Sequence, residues 1–169
     1  MDPNPTRPRD KVAQEFLDHS RKWHETDVAQ QLVCLLRSHA STHDITKIIG
    51  LALGAISYGA DDRSDSYIQH ALLLTLRNWL SGQGDPAHLA CYAQDPGYRS
   101  VDRQVLKEHG IDVIDDPQAW LEIDNQSIVF SVAPNVPVKE IVADIARPAI
   151  VIWERVGYED ADQEGKMSR

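Results

Sequence analysis

The sequence predicts a three-layer α/β sandwich, with about five mainly parallel strands, helices on both faces and two extra helices at the N-terminus. Three observations predict it. Residues 47 to 58, KIIGLALGAISY, run from a basic residue through apolar and small residues into a polar loop, and a long apolar-striped segment follows. Four further short apolar runs alternate with segments of helical character. The turns between them carry Gly, Asp-Pro or Pro, which interrupt both kinds of element. In a doubly wound sheet of this kind, ligands bind outside the carboxyl ends of the strands.

The elements follow in order. Residues 10 to 24 form a helix with Val12, Phe16, Leu17 and Trp23 as anchors. Thr26 or Asp27 caps a second helix, in which Val28, Leu32, Leu35, Leu36 and His39 recur at helical spacing. Strand 47–53 comes next, then helix 65–81 with Ile68, Leu72, Leu76 and Trp79 turned inward. GQGDP at 82 to 86 is a strong breaker before strand 88–93. Helix 99–109 is closed by Gly110 at the usual C-terminal position. Strand 111–114 gives way to Asp-Asp-Pro and a short helical or irregular piece at 117–122. Strand 127–132 reaches APNVP, helix 137–146 stops before Pro148, and strand 149–153 ends at Trp153 and Glu154.

At 169 residues the chain reads as one domain over 10–156, with flexible segments at 1–9 and 157–169. A formal net charge of -9 argues against wholesale binding to nucleic acid, which needs a basic face. No apolar stretch reaches the roughly 20 residues that span a bilayer. The N-terminus lacks the apolar region of a signal peptide, so a cytoplasmic or nuclear location is expected. The two cysteines, Cys34 and Cys91, read as buried, reduced core thiols. No spacing suggests a metal site.

The run IIGLALGAIS, the later RSDSYIQHALLLTL, the strand and turn CYAQDP, and IVFSVAPNVPVKEIV followed by PAIVIW resemble the sensitivity-to-red-light-reduced (SRR-like) domain family, especially its short fungal members. The likeness spans about residues 25 to 156. It implies a Rossmann-like fold and a link to light signalling, circadian regulation and, in animals, haem-related regulation. It brings no agreed enzymatic reaction. Plant and animal members tend to carry a histidine-bearing turn after the fourth strand. Here that turn is Ala133, Pro134, Asn135, so no role for that histidine transfers.

The site candidates cluster at strand ends. Gly54 and Ser57 lie in the first loop, where Gly54 lets either a ligand approach the backbone or a tight turn form. The glycines at 50, 54 and 59 do not make a dinucleotide fingerprint, and no Gly-Lys-Ser/Thr triphosphate loop exists. Asp95 follows the second strand, where an acidic residue can accept ribose hydroxyls or simply initiate an Asp-Pro turn. Asp115 and Asp116 follow the third strand, where one of them can meet a base amine or they can cap a helix or turn. Arg63 matches a recurring feature of the resembling family. His70 is a candidate site residue that could act as acid or base but reads first as a packed, hydrogen-bonded side chain. Asn135 points toward the crevice. With Asp95 and Asp115, Glu154 would give a negative rim that disfavours phosphates and favours hydroxyls, amines or cations.

Three readings of function follow. The first is a regulatory or signalling protein that binds a small nucleoside-like ligand. The second is a nucleoside-cofactor-dependent transferase similar to S-adenosylmethionine methyltransferases. The third is a non-catalytic homodimeric scaffold or a binder of another protein. No residue identifies a catalytic nucleophile, and the cofactor is not written in the sequence.

Overall fold

The computed structural model describes residues 7–40, 43–58, 64–82, 88–132 and 134–153. Helices α1 (Arg9–His24) and α2 (Asp27–His39) precede β1 (Lys47–Leu51). A 3-10 turn (Ile56–Tyr58) and α3 (Ser64–Ser81) lead to β2 (Ala90–Gln94). Then come α4 (Ser100–Glu108), β3 (Asp112–Val113), α5 (Gln118–Leu121), β4 (Ser127–Ser131), α6 (Val138–Ile145) and β5 (Ile150–Trp153). The expected order of elements is present throughout, with shifts confined to their ends.

The five strands lie in the order β3-β2-β1-β4-β5, and every neighbouring pair is parallel. This is a Rossmann-like arrangement, and β1 lies where the order of connection reverses. Register places Ile48 beside Cys91 and Ile128, with Ile150 continuing the row. Ile49 sits beside Tyr92 and Val129 on the opposite face.

Period-two alternation thus divides the core. Ile48, Ala93, Ile128 and Phe130 join Leu73, Leu76, Val105 and Leu106 on the face covered by α3 and α4. Ile49, Leu51 and Val129 join Ala119, Ile123, Val138 and Val142 on the face covered by α5 and α6. Gly50 stands mid-strand because helix and sheet meet closely there. A Cβ on it would lie 2.7 Å from Leu53 Cδ1 and 3.3 Å from Leu73 Cδ2.

The N-terminal helices extend the α3 side. Val12 and Phe16 of α1 are fully buried, and α1 packs across α3 and α4. Thr26 caps α2, its Oγ1 accepting from the Ala29 amide. The phase of α2 differs from the expected one. Ala29, Leu36 and Ala40 are buried, while Val28 and Leu35 are exposed. The small Ala29 fits against Trp23 and Ala71, and that contact sets the helix rotation. Cys34 is therefore exposed, contrary to expectation, and Cys91 is buried. Leu17 and Ile68 are likewise exposed. In α3 Tyr67, His70, Ala71, Leu73, Leu74 and the expected Leu76 are all buried, because this helix meets the sheet on one side and α1 and α2 on the other.

Candidate ligand-binding crevice

The turns after β1, β2, β3 and β4 gather at one edge of the sheet, as parallel pairing requires. They enclose two adjoining chambers. One, of about 370 Å³, has Leu51, Tyr98, Ile114, Trp120 and Val138 in its lining. The other, of about 460 Å³, has Gly54, Tyr58, Asp65, Gln69 and Asn135. Ala52, Asp95, Pro96 and Val136 border both. The chambers are two halves of one crevice, and Asp95 stands on the boundary between them.

The turn after β1 is shaped by left-handed backbone. Ala52 has φ +57° and Gly54 has φ +72°. A non-glycine residue in this region carries local strain, and such residues cluster at functional sites. The Ala52 amide donates to the Gln94 carbonyl at 2.9 Å, which pins the turn to β2. A Cβ on Gly54 would come within 3.0 Å of Ser66 Oγ. Ser66 Oγ in turn donates to the Leu53 carbonyl at 2.7 Å. Of the two meanings foreseen for Gly54, the tight turn is directly visible.

Asp95 ties the two turns together. Its Oδ2 accepts from the Gly54 amide at 2.8 Å and its Oδ1 from the Gly97 amide at 2.7 Å. Each carboxylate oxygen retains acceptor capacity toward the crevice. The turn-forming role of Asp95 and a hydroxyl-accepting role are therefore compatible.

His70 is fully buried behind this turn. Ser66 O can only accept, so Nδ1 carries the proton and donates to it at 2.6 Å. Nε2 then accepts from the Tyr98 hydroxyl at 2.7 Å. Burial pushes the His70 pKa down to about 4, so the ring is neutral near pH 7. Burial also holds the Tyr98 hydroxyl well above its usual pKa, which preserves its donor proton. With both nitrogens occupied and no exposure, His70 neither faces the crevice nor offers a free base. It positions Tyr98, whose side chain borders the first chamber.

Ser57 also lies behind the site. It is buried, its amide donates to Asp102 Oδ1 at 2.7 Å, and its hydroxyl donates to Oδ2 at 2.9 Å. The Arg99 amide donates to the same Oδ2 at 2.7 Å. The fully buried Asp102 carboxylate thereby fastens the 3-10 turn to the start of α4. Nothing in its sequence position, one acidic residue in a helical first turn, distinguishes it from an exposed cap.

Asp115 lines the first chamber and pairs with Arg103, which also donates to the Val113 carbonyl at 3.0 Å. The pair lowers the net negative charge of that rim. Asp116 Oδ1 accepts from Gln94 Nε2 at 2.9 Å and from Trp120 Nε1 at 3.1 Å. Gln94 Oε1 accepts from the Ala119 amide at 2.9 Å. This network holds Trp120 at the chamber wall. Trp120, Gln94 and Arg103 escaped sequence reading. Trp120 had a usable signal, an aromatic four residues after an acidic strand-end turn.

Gly54, Asp95 and Asn135 thus border the same chamber, and Asp115 lies in the adjoining one. Of the site candidates, His70 and Ser57 are buried supporting residues and not crevice contacts, His70 in the packed, hydrogen-bonded role. Arg63 and Glu154 lie outside the described residues, as do 1–6 and 157–169. Among the described residues, no group of three or more His, Cys, Asp or Glu side chains is arranged to hold a metal ion. No described helix is long and apolar enough to cross a membrane.

A family model described as the SRR1 domain matches residues 26–167. The chain belongs to the SRR1 domain family. The SRR1 match opens at Thr26, the cap of α2, so α1 precedes it. It covers every strand and every turn of the crevice. Comparison of the chain with curated proteins and with solved structures yields no match.

Proposed function

We propose that this SRR1 domain protein is a regulatory protein whose crevice binds a small nucleoside-like ligand. The observation that carries the reading is the pairing of an apolar, aromatic-walled chamber with a carboxylate at its mouth. Trp120, Ile114 and Val138 supply a surface suited to a planar base. Asp95, on the boundary, supplies acceptors for the vicinal hydroxyls of a ribose. No glycine-rich phosphate loop enters α3, which fits a nucleoside better than a nucleotide. His70, sealed from the crevice, is not available as a base to the transferase alternative, which rests on the acidic strand ends and the Gly54 loop.

A thermal-shift panel of adenosine, guanosine, cytidine, nucleotides, dinucleotides, S-adenosylmethionine and haem tests the reading. A ligand that binds only the folded chain raises the melting temperature. At least one unphosphorylated nucleoside should stabilise the protein. Val136→Trp should abolish the shift with little change in the unliganded melting temperature, because Val136 is exposed and borders both chambers. A shift from haem or dinucleotides alone, or no shift at all, overturns the proposal.

A further inference from the structure

The two edges of the sheet are chemically unlike. β3, at one edge, has only Asp112 and Val113. It is guarded: Asp112 pairs with Lys107, and the Val113 carbonyl accepts from Arg103 at 3.0 Å. Short strands and charged side chains are how sheets ordinarily prevent edge-to-edge pairing. β5, at the other edge, reads Ile-Val-Ile-Trp and has neither charge nor proline. Among the described residues no strand pairs with its outer side.

The helix beside β5 also has an unmatched face. α2 buries Ala29, Leu36 and Ala40, yet Val28 and Leu35, one heptad apart, form a second apolar stripe that is exposed. A surface helix needs one apolar face, and a second calls for a second neighbour. Between the two elements runs a groove of about 420 Å³, with Leu32, Leu35 and Leu36 of α2 and Ile150, Val151 and Ile152 of β5 in its lining. It shares no lining residue with the crevice. The sequence after β5, ERVGYEDADQEGKMSR, has no apolar run to fill it.

A second copy of the chain meets the requirements of this flank. Two β5 strands related by a two-fold axis through Val151 run antiparallel, and Ile150 then stands opposite Ile152 of the second copy. Both isoleucines already lie on the α2 face, in register with Ile128 and Phe130 and packed against the same cluster. The same axis sets α2 antiparallel to its mate. The acidic first turn of each, with Asp27, is then directed toward the basic last turn of the other, with Arg37 and His39. A patch that is acidic at one end, basic at the other and apolar between is complementary to itself. It does not select a foreign partner of a single charge sign. We infer that the chain forms a two-fold dimer through β5 and α2, which joins the two sheets into one.

Sedimentation velocity of the full chain over a series of micromolar concentrations tests this. The wild type should sediment as a dimer. Val151→Lys and Leu35→Glu each set two like charges against one another across the axis, and each should weaken association by about a hundredfold. Both side chains are exposed in the single chain, so the monomeric variants should keep the far-ultraviolet circular dichroism spectrum of the wild type. Leu121→Glu, at an exposed apolar residue outside this flank, should leave the dimer intact. Cys34, next to Leu35, is exposed and Cys91 is buried, so a bismaleimide should link two wild-type chains through Cys34 and fail to link Leu35→Glu chains. A chain that is monomeric at every concentration overturns the dimer and leaves the flank to another protein. A dimer that survives either Val151→Lys or Leu35→Glu, or that Leu121→Glu breaks, overturns the interface.

Discussion

Nε2 of His70 accepts a hydrogen bond from the Tyr98 hydroxyl at 2.7 Å, in a site that solvent does not reach. The pair joins α3 to the turn after β2 and sets one wall of the crevice. His70 here takes the packed, hydrogen-bonded role that its sequence position allowed beside acid–base chemistry. Its burial has a consequence for stability.

The folded pKa of His70, pushed down to about 4 from the ordinary 6.5, makes its contribution dependent on pH. Between those values the unfolded chain binds the proton and the folded chain does not. The stabilisation is therefore complete above about pH 6.5 and falls as pH drops toward 4, by up to about 1.4 kcal/mol per pH unit. Urea titrations of the wild type and His70→Gln should show a stability difference that is largest near pH 7 and shrinks on acidification. A difference that stays constant from pH 7 to pH 4 contradicts a neutral, buried imidazole.

Replacing Asp95 with alanine should orphan the Gly54 and Gly97 amides that its two oxygens accept. The expected loss is about 2 kcal/mol, from hydrogen bonds to a charged acceptor and incomplete rehydration of the freed amides. Native-state hydrogen exchange should show faster exchange at those two amides than at amides in α6. Loss of ligand binding in this variant would report on the turn as much as on direct contact. For that reason Val136→Trp is the cleaner probe of the crevice.

The two left-handed residues of the first turn should respond in opposite directions. Gly54→Ala combines a positive φ with a Cβ placed 3.0 Å from Ser66 Oγ, and should destabilise by about 1–2 kcal/mol. Ala52→Gly relieves a positive φ of 57°, against a greater backbone entropy in the unfolded chain. It should be neutral or stabilising by up to about 1 kcal/mol. Denaturant midpoints of both variants check the pair. A destabilising Ala52→Gly would show that the Ala52 side chain contributes more than its backbone conformation costs.

Asp102→Ala should be among the more damaging single changes at this end of the molecule. Three donors converge on its fully buried carboxylate, two from Ser57 and one from the Arg99 amide. Their loss should cost about 3 kcal/mol. Circular dichroism melts would register it, whereas replacement of the exposed Glu140 should leave the melt unchanged.

The alternation of KIIGL, ACYAQ and SIVFS with striped helices was enough to read a parallel sheet, because burial on both faces leaves few polar positions in a strand. The Asp-Pro and Gly punctuation marked the strand ends closely enough to locate the crevice. Helix phase was less legible. In α2 both Val28 and Ala29 could face inward, and only the fit of Ala29 against Trp23 and Ala71 chose between them.

Chain order and side-chain pattern alone settled the succession of strands and helices and the edge at which their turns converge. Periodicity and turn chemistry are local properties, and they persist whatever the chain later packs against. The direction and burial of each polar side chain were decided only by the three-dimensional arrangement. His70, Ser57 and Asp102 are indistinguishable from exposed polar residues until residues 28 to 45 positions away in the chain supply their hydrogen-bond partners. A polar group becomes a ligand contact or a buried brace according to which distant atoms satisfy it, and that is a property of the fold.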